Sequence, residues 1–68
     1  EIEEYDIYLL NNLAEGLSQD AISKQLKAKN ISPNSLSSVE KRVSKLKIHL
    51  GAKNTYQLIA LSKDIGLI

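Results

Sequence analysis

The sequence predicts an all-α domain of four helices with an extended turn before the third helix. Apolar residues recur at three- and four-residue intervals in four successive segments, which is the spacing of one helix face. No run alternates apolar and polar residues over the length of a strand, and glycine, proline, asparagine or serine separates the segments. A chain of 68 residues fits one small domain, 1–68, which we expect to be a C-terminal fragment of a longer protein.

The first two helices have recognisable ends. The first is expected over about residues 3–15, and Gly16 follows it, as glycine commonly follows a helix. Ser18 is a favourable N-cap for the second helix, in which we expect Ile22 and Leu26 to face the core.

The extended turn covers residues 30–35. Pro33 disfavours helical geometry in the residue before it, and the asparagines and serines of this segment favour turns. We expect Ile31 to point inward and to anchor the turn.

The third helix is expected to begin near Ser35 or Ser37 and to end at Gly51. Residues 37–40 have the pattern of a capping box, in which a serine hydroxyl group accepts from the backbone and Glu40 reaches back to the start of the helix. Glu40 is therefore predicted to have a structural role.

The fourth helix begins after Lys53, with Asn54 or Thr55 as its N-cap, and Gly66 ends it. Its apolar side is predicted to consist of Leu58, Ile59, Leu61, Ser62 and Ile65.

The composition argues against several classes of protein. The chain has no cysteine, so it has neither a disulfide nor a thiolate metal site. Its one histidine, His49, lacks the partners that catalysis or metal binding requires. No apolar run approaches the roughly 18 residues of a membrane span, and no secretion signal opens the chain. We expect a cytoplasmic protein that is not an enzyme and binds no cofactor or metal.

The charges are distributed unevenly along the chain, although the formal net charge is only +1. Residues 1–22 carry six acidic side chains and no lysine or arginine, whereas residues 23–54 carry eight basic side chains and one acidic one. Such asymmetry is informative about partners rather than about fold.

The third helix has an apolar face and a basic face. At 100° per residue, one side of it carries Val39, Val43, Leu46 and Leu50. The opposite side carries Ser37, Lys41, Ser44, Lys45 and Ile48. An α-helix about 10–12 Å wide fits the major groove of B-DNA, which is about 12 Å wide. With the preceding helix and turn, this face predicts a helix-turn-helix domain that binds double-stranded DNA.

The charge pattern leaves an alternative open. Lysine-rich faces are common on ordinary helices, where they keep the surface hydrated. A domain with the same fold and no DNA binding could be a protein-interaction module that docks a partner through Glu40 and Ile48 on the exposed side of the third helix.

Four segments form a pattern that spans the chain: LAEGLS at 13–18, SV at 38–39, LGAKN at 50–54 and GLI at 66–68. This pattern resembles the LuxR/FixJ-type (GerE-like) family of helix-turn-helix domains, as found in C-terminal output domains of Bacteroidetes-type response regulators. The turn before Val39 is longer than the usual turn of that family.

The resemblance implies sequence-specific DNA binding by a transcription factor of a two-component system. The candidate DNA-binding residues are Ser37, Ser38, Lys41, Arg42, Ser44, Lys45, Lys53 and Asn54. Among them, the resemblance implies base contacts for Lys41, Ser44 and Lys45, and phosphate contacts for Ser38 and Arg42. Lys53 or Asn54 would contact the DNA backbone from the corner after the third helix.

Members of this family dimerise through their last helix, so the resemblance also implies a homodimer. Tyr56, Ala60 and Lys63 share a side of the fourth helix away from its apolar residues, and they are the candidate dimerisation residues. The alternative is that Tyr56 only covers the edge of the core. RNA polymerase is a further candidate partner.

Overall fold

Four helices make up the computed structural model, which describes residues 2–68. They are α1 (Glu4–Ala14), α2 (Gln19–Ala28), α3 (Leu36–Leu50) and α4 (Thr55–Asp64). No strand occurs within residues 2–68, so the prediction of a four-helix, all-α fold is confirmed. Within the same range, no helix combines the length and the apolar character that crossing a bilayer requires.

The hydrophobic core draws on all four helices, and α3 packs against each of the other three. The buried apolar side chains are Leu9, Leu10, Leu13, Ile22, Leu26, Val39, Val43, Leu46 and Leu58. The positions predicted to face inward on α2 and α3 are among them, and Leu50 packs against their edge. Because α3 buries one face over most of its length, its opposite face is left outside.

Side-chain caps mark the starts of α2, α3 and α4. The predicted N-caps Ser18 and Asn54 are confirmed, since each side-chain oxygen accepts a hydrogen bond from the backbone N–H three residues later. The capping box predicted to include Glu40 is wrong. The N-cap of α3 is Ser35, whose Oγ accepts from the backbone N–H of Ser38 at 3.1 Å. Because α3 begins before Ser37, Glu40 lies beyond its first turn, and Glu40 is exposed.

The connection between α2 and α3 runs over residues 29–35 and is longer than the three or four residues of a usual helix-turn-helix turn. Ile31 is 36% exposed, so the prediction that it anchors the connection from inside is wrong. Two hydroxyl groups hold the connection instead. The hydroxyl group of Tyr5 donates to the carbonyl group of Pro33 at 2.7 Å. The buried hydroxyl group of Ser23 donates to the carbonyl group of Asn34 at 2.6 Å. These bonds satisfy carbonyl groups in a segment without regular secondary structure.

The inner side of α4 is shorter than predicted. Leu58 and Ser62 are fully buried, and the hydroxyl group of Ser62 donates to the carbonyl group of Leu58 at 2.7 Å. The prediction that Ile65 belongs to the apolar side is wrong. The helix ends at Asp64, and Ile65 is its C-cap with 60% of its surface exposed.

Candidate nucleic-acid interface

The outward face of α3 is open along the helix. We call this face the outer strip, and it consists of Ser37, Lys41, Ser44, Lys45 and Ile48. All five residues are exposed. The buried residues of α3 lie on the other side of the helix, so the outer strip points away from the core, as the helical spacing predicts.

Lys41 and Lys45 supply the positive charge of the outer strip. They are four residues apart, which places them about 6 Å apart along the helix axis. Neither forms an ion pair with any residue in the range 2–68. Since both side chains are also exposed, their ammonium groups are available to an external anion.

Arg42 follows Lys41 in the chain but turns towards α1. Its Nη1 donates to Oδ1 of Asp6 at 2.8 Å and lies 3.5 Å from Oε1 of Glu3. Its guanidinium carbon lies 4.9 Å from the centre of the Tyr5 ring. The hydrogen bond to Asp6 raises the pKa of Arg42 above its ordinary value. The guanidinium group of Arg42 is therefore part of the contact between α1 and α3, and its contact with a DNA phosphate stays a prediction.

Asp6 is the residue at this contact whose role the sequence does not reveal. It is 1% exposed. While Oδ1 accepts from Arg42, Oδ2 accepts from the backbone N–H of Glu3 at 2.8 Å, so one carboxylate caps α1 and holds α3. The spacing of Glu3 and Asp6 at a helix start indicates the cap. No local pattern indicates a partner 36 residues away.

The serines at the start of α3 differ in their surroundings. Ser37 is exposed on the outer strip. Ser38 is half-buried, and its hydroxyl oxygen accepts from the hydroxyl group of Ser35 at 2.8 Å. Ser37 thus has the more accessible hydroxyl group, whereas that of Ser38 is part of the capping arrangement.

Lys53 and Asn54 lie in the corner between α3 and α4, and both are exposed. Oδ1 of Asn54 accepts from the backbone N–H of Gln57 at 2.8 Å, and Oε1 of Gln57 accepts from the backbone N–H of Lys53 at 2.6 Å. These bonds fix the backbone of the corner. The Lys53 ammonium group takes no part in them and forms no ion pair within residues 2–68.

The edges of the outer strip carry charges of both signs. Glu40 is exposed on one edge beside the half-buried Lys47, and His49 is exposed near the end of the helix. Glu40 is the one acidic side chain of α3. On the opposite edge, the carboxylates of Glu3 and Asp6 are paired with the guanidinium group of Arg42.

The candidate dimerisation residues form a second exposed face, on α4. Tyr56 is 87% exposed, and Ala60 and Lys63 are exposed as well. The alternative that Tyr56 covers the edge of the core is wrong, because a side chain in that role would be largely buried. The structure leaves this face without a partner inside residues 2–68.

Comparisons of the chain with protein-family models, with curated proteins and with solved structures find no match. The resemblance to LuxR/FixJ-type domains remains a prediction from the four quoted segments.

Proposed function

We propose that this domain binds double-stranded DNA through the outer strip and regulates transcription. The observation that supports this most directly is the pair of lysines, Lys41 and Lys45, exposed on the face of α3 opposite its buried side and unpaired within residues 2–68. A single helix with such a face fits the major groove, where cations contact phosphates and base edges.

The proposed contacts are of two kinds. Phosphate contacts supply much of the affinity and make it depend on salt, because each neutralised phosphate releases counterions. Base contacts supply the discrimination between sequences. Lys41 and Lys45 can donate to O6 and N7 of guanine, and the hydroxyl group of Ser44 can bond to donors or acceptors on several bases. Lys53, exposed at the corner after α3, is suited to a phosphate.

The wider assignment follows the resemblance. We place the domain at the output end of a two-component response regulator in the cytoplasm, as a binding module rather than an enzyme. Two copies would pair through the α4 face of Tyr56, Ala60 and Lys63 and would present one outer strip to each half-site. RNA polymerase is the further partner proposed for the assembled complex.

A protein-interaction module is the second candidate function. It would use the same exposed side, with Glu40 and Ile48 contacting the partner. The centres of protein–protein interfaces are depleted in charged residues, yet two of the five residues of the outer strip are unpaired lysines. The composition of the outer strip therefore favours DNA over a protein partner.

Titration of the domain into a labelled duplex of arbitrary sequence at about 50 and 200 mM salt tests the proposal. A DNA-binding domain should bind at the lower concentration and weaken steeply at the higher one, since the loss grows with the number of phosphates contacted. An absence of binding at low salt would refute DNA binding and favour the interaction module.

A further inference from the structure

Ile48 stands out among the residues of the outer strip because it is apolar and 83% exposed. At 100° per residue it points about 20° from Lys41 and from Ser37, and about 40° and 60° from Ser44 and Lys45. It therefore lies at the centre of the outer strip. It also points almost directly away from the buried face of α3.

The exposed position of Ile48 brings the isolated domain no stability from burial. Isoleucine also has a lower helix propensity than lysine or alanine, because its branched side chain loses rotamer freedom in a helix. The apolar surface of Ile48 contributes favourable free energy only when an apolar group of a partner covers it. The neighbouring lysines indicate that the covering surface belongs to an anion.

We propose that Ile48 contacts the C5-methyl group of a thymine in the major groove and so makes the domain select an A·T pair at that position. The inference rests on the proposed DNA binding of the outer strip. The thymine methyl group is the apolar feature that distinguishes base pairs in the major groove, and apolar side chains contact it. DNA carries both anionic phosphates and the apolar thymine methyl group. The outer strip carries both lysines and one exposed isoleucine, so it can contact both features.

The position of the selected thymine relative to the other contacts follows from helix geometry. Ile48 lies seven residues after Lys41, or about 10 Å further along the axis. Successive base pairs are about 3.4 Å apart. Because the groove winds around the DNA axis, a helix lying along it places the thymine at most about three base pairs from the pair that Lys41 contacts.

Selection from a random duplex pool supplies the binding site for the test. The unchanged domain and the Ile48→Ala variant are each used to enrich sequences. Ile65→Ala is the matched control, because it removes the same type of side chain from an exposed position outside the outer strip. We expect the unchanged domain and the control to enrich a thymine at one position and Ile48→Ala to lose that preference, with all three folded at the temperature of the selection.

Replacement of the enriched thymine by deoxyuridine then removes only the methyl group. The unchanged domain should bind the deoxyuridine duplex about fourfold more weakly, which is the factor expected for burial of one methyl group. The Ile48→Ala variant should bind both duplexes equally.

The outcomes separate this inference from the proposed function. One contrary outcome is that deoxyuridine weakens the binding of the unchanged domain and of Ile48→Ala by the same factor. Another is that neither deoxyuridine nor Ile48→Ala weakens binding. Either outcome would overturn the thymine contact and leave DNA binding intact. Failure to bind any duplex at low salt would overturn both and would favour a protein partner for Ile48.

Discussion

Arg42 of α3 and Asp6 of α1 form an ion pair with 2.8 Å between Nη1 and Oδ1, and the carboxylate is almost entirely buried. The other carboxylate oxygen caps α1, so the two helices share one anchoring group. This pair opposes rotation of α3 about its axis. Lys41 and Lys45 are directed outward because the apolar side of α3 opposite them is buried in the core.

Removal of Arg42 should destabilise the domain strongly. We expect Arg42→Ala to lower the free energy of unfolding by about 3 kcal/mol, because the carboxylate of Asp6 would stay buried without its cation. Lys41→Ala is the matched control, since it removes an adjacent exposed cation and should change stability by less than about 0.5 kcal/mol. Urea denaturation measures both, and an equal effect of the two substitutions would mean that the pair does not hold the helices.

The start of α3 can be tested with serines two residues apart. Ser35→Ala should lower the free energy of unfolding by about 1 kcal/mol, the usual effect of losing a side-chain N-cap. Ser37→Ala and Glu40→Gln should each have an effect below about 0.5 kcal/mol, because neither residue caps the helix. Thermal or urea unfolding measures these changes. If Ser37→Ala lowers the free energy of unfolding more than Ser35→Ala does, the helix starts at Ser37.

The hydroxyl group of Tyr5 should stabilise the connection between α2 and α3. A tyrosine hydroxyl group is protonated at neutral pH and can donate, as that of Tyr5 does to the carbonyl group of Pro33, and burial raises the pKa of Tyr5 further. Tyr5→Phe should lower the free energy of unfolding by about 1 kcal/mol and speed proteolytic cleavage within residues 29–35. Tyr56→Phe is the control, since that ring is exposed and should affect neither quantity. Unchanged cleavage in Tyr5→Phe would contradict an anchoring role.

Local features of this fold were predictable from the sequence, and contacts between distant segments were not. The four helices, the caps at Ser18 and Asn54 and the outer strip all depend on spacings of two to four residues. The ion pair of Arg42 with Asp6 spans 36 residues, so the arginine could not be distinguished in advance from the lysines beside it.

Two predictions from the sequence, the capping box with Glu40 and the anchoring role of Ile31, were wrong for physical reasons. Serines at 35, 37 and 38 are all acceptable N-caps, and only the observed backbone conformation of Ser35 identifies the one in use. Ile31 has the hydrophobicity of an anchor, but the hydroxyl groups of Tyr5 and Ser23 hold the connection and leave Ile31 partly exposed.

The proposed pairing through α4 predicts a loss of cooperativity without a loss of stability. Tyr56→Ala removes an exposed ring, so the free energy of unfolding should change by less than about 0.5 kcal/mol. On a duplex with two half-sites, the variant should bind each site independently, whereas the unchanged domain should bind them together. Ile31→Ala, at an exposed position outside α4, should retain cooperative binding. Binding isotherms that stay equally steep in Tyr56→Ala would exclude this face as the dimer contact.

The central claim is that the outer strip of α3 is the DNA-binding surface. The most direct test compares two double variants that lose the same charge, Lys41→Gln/Lys45→Gln in the outer strip and Lys24→Gln/Lys27→Gln at exposed positions of α2. Their affinity is measured over a series of salt concentrations for a duplex of arbitrary sequence, short enough for one copy, because non-specific binding consists of phosphate contacts. We predict that the outer-strip variant binds more weakly, with a salt dependence whose slope is reduced by about 1.8 in magnitude, and that the other variant retains its slope. Equal slopes for the two variants, or unchanged binding by the outer-strip variant, would contradict the claim.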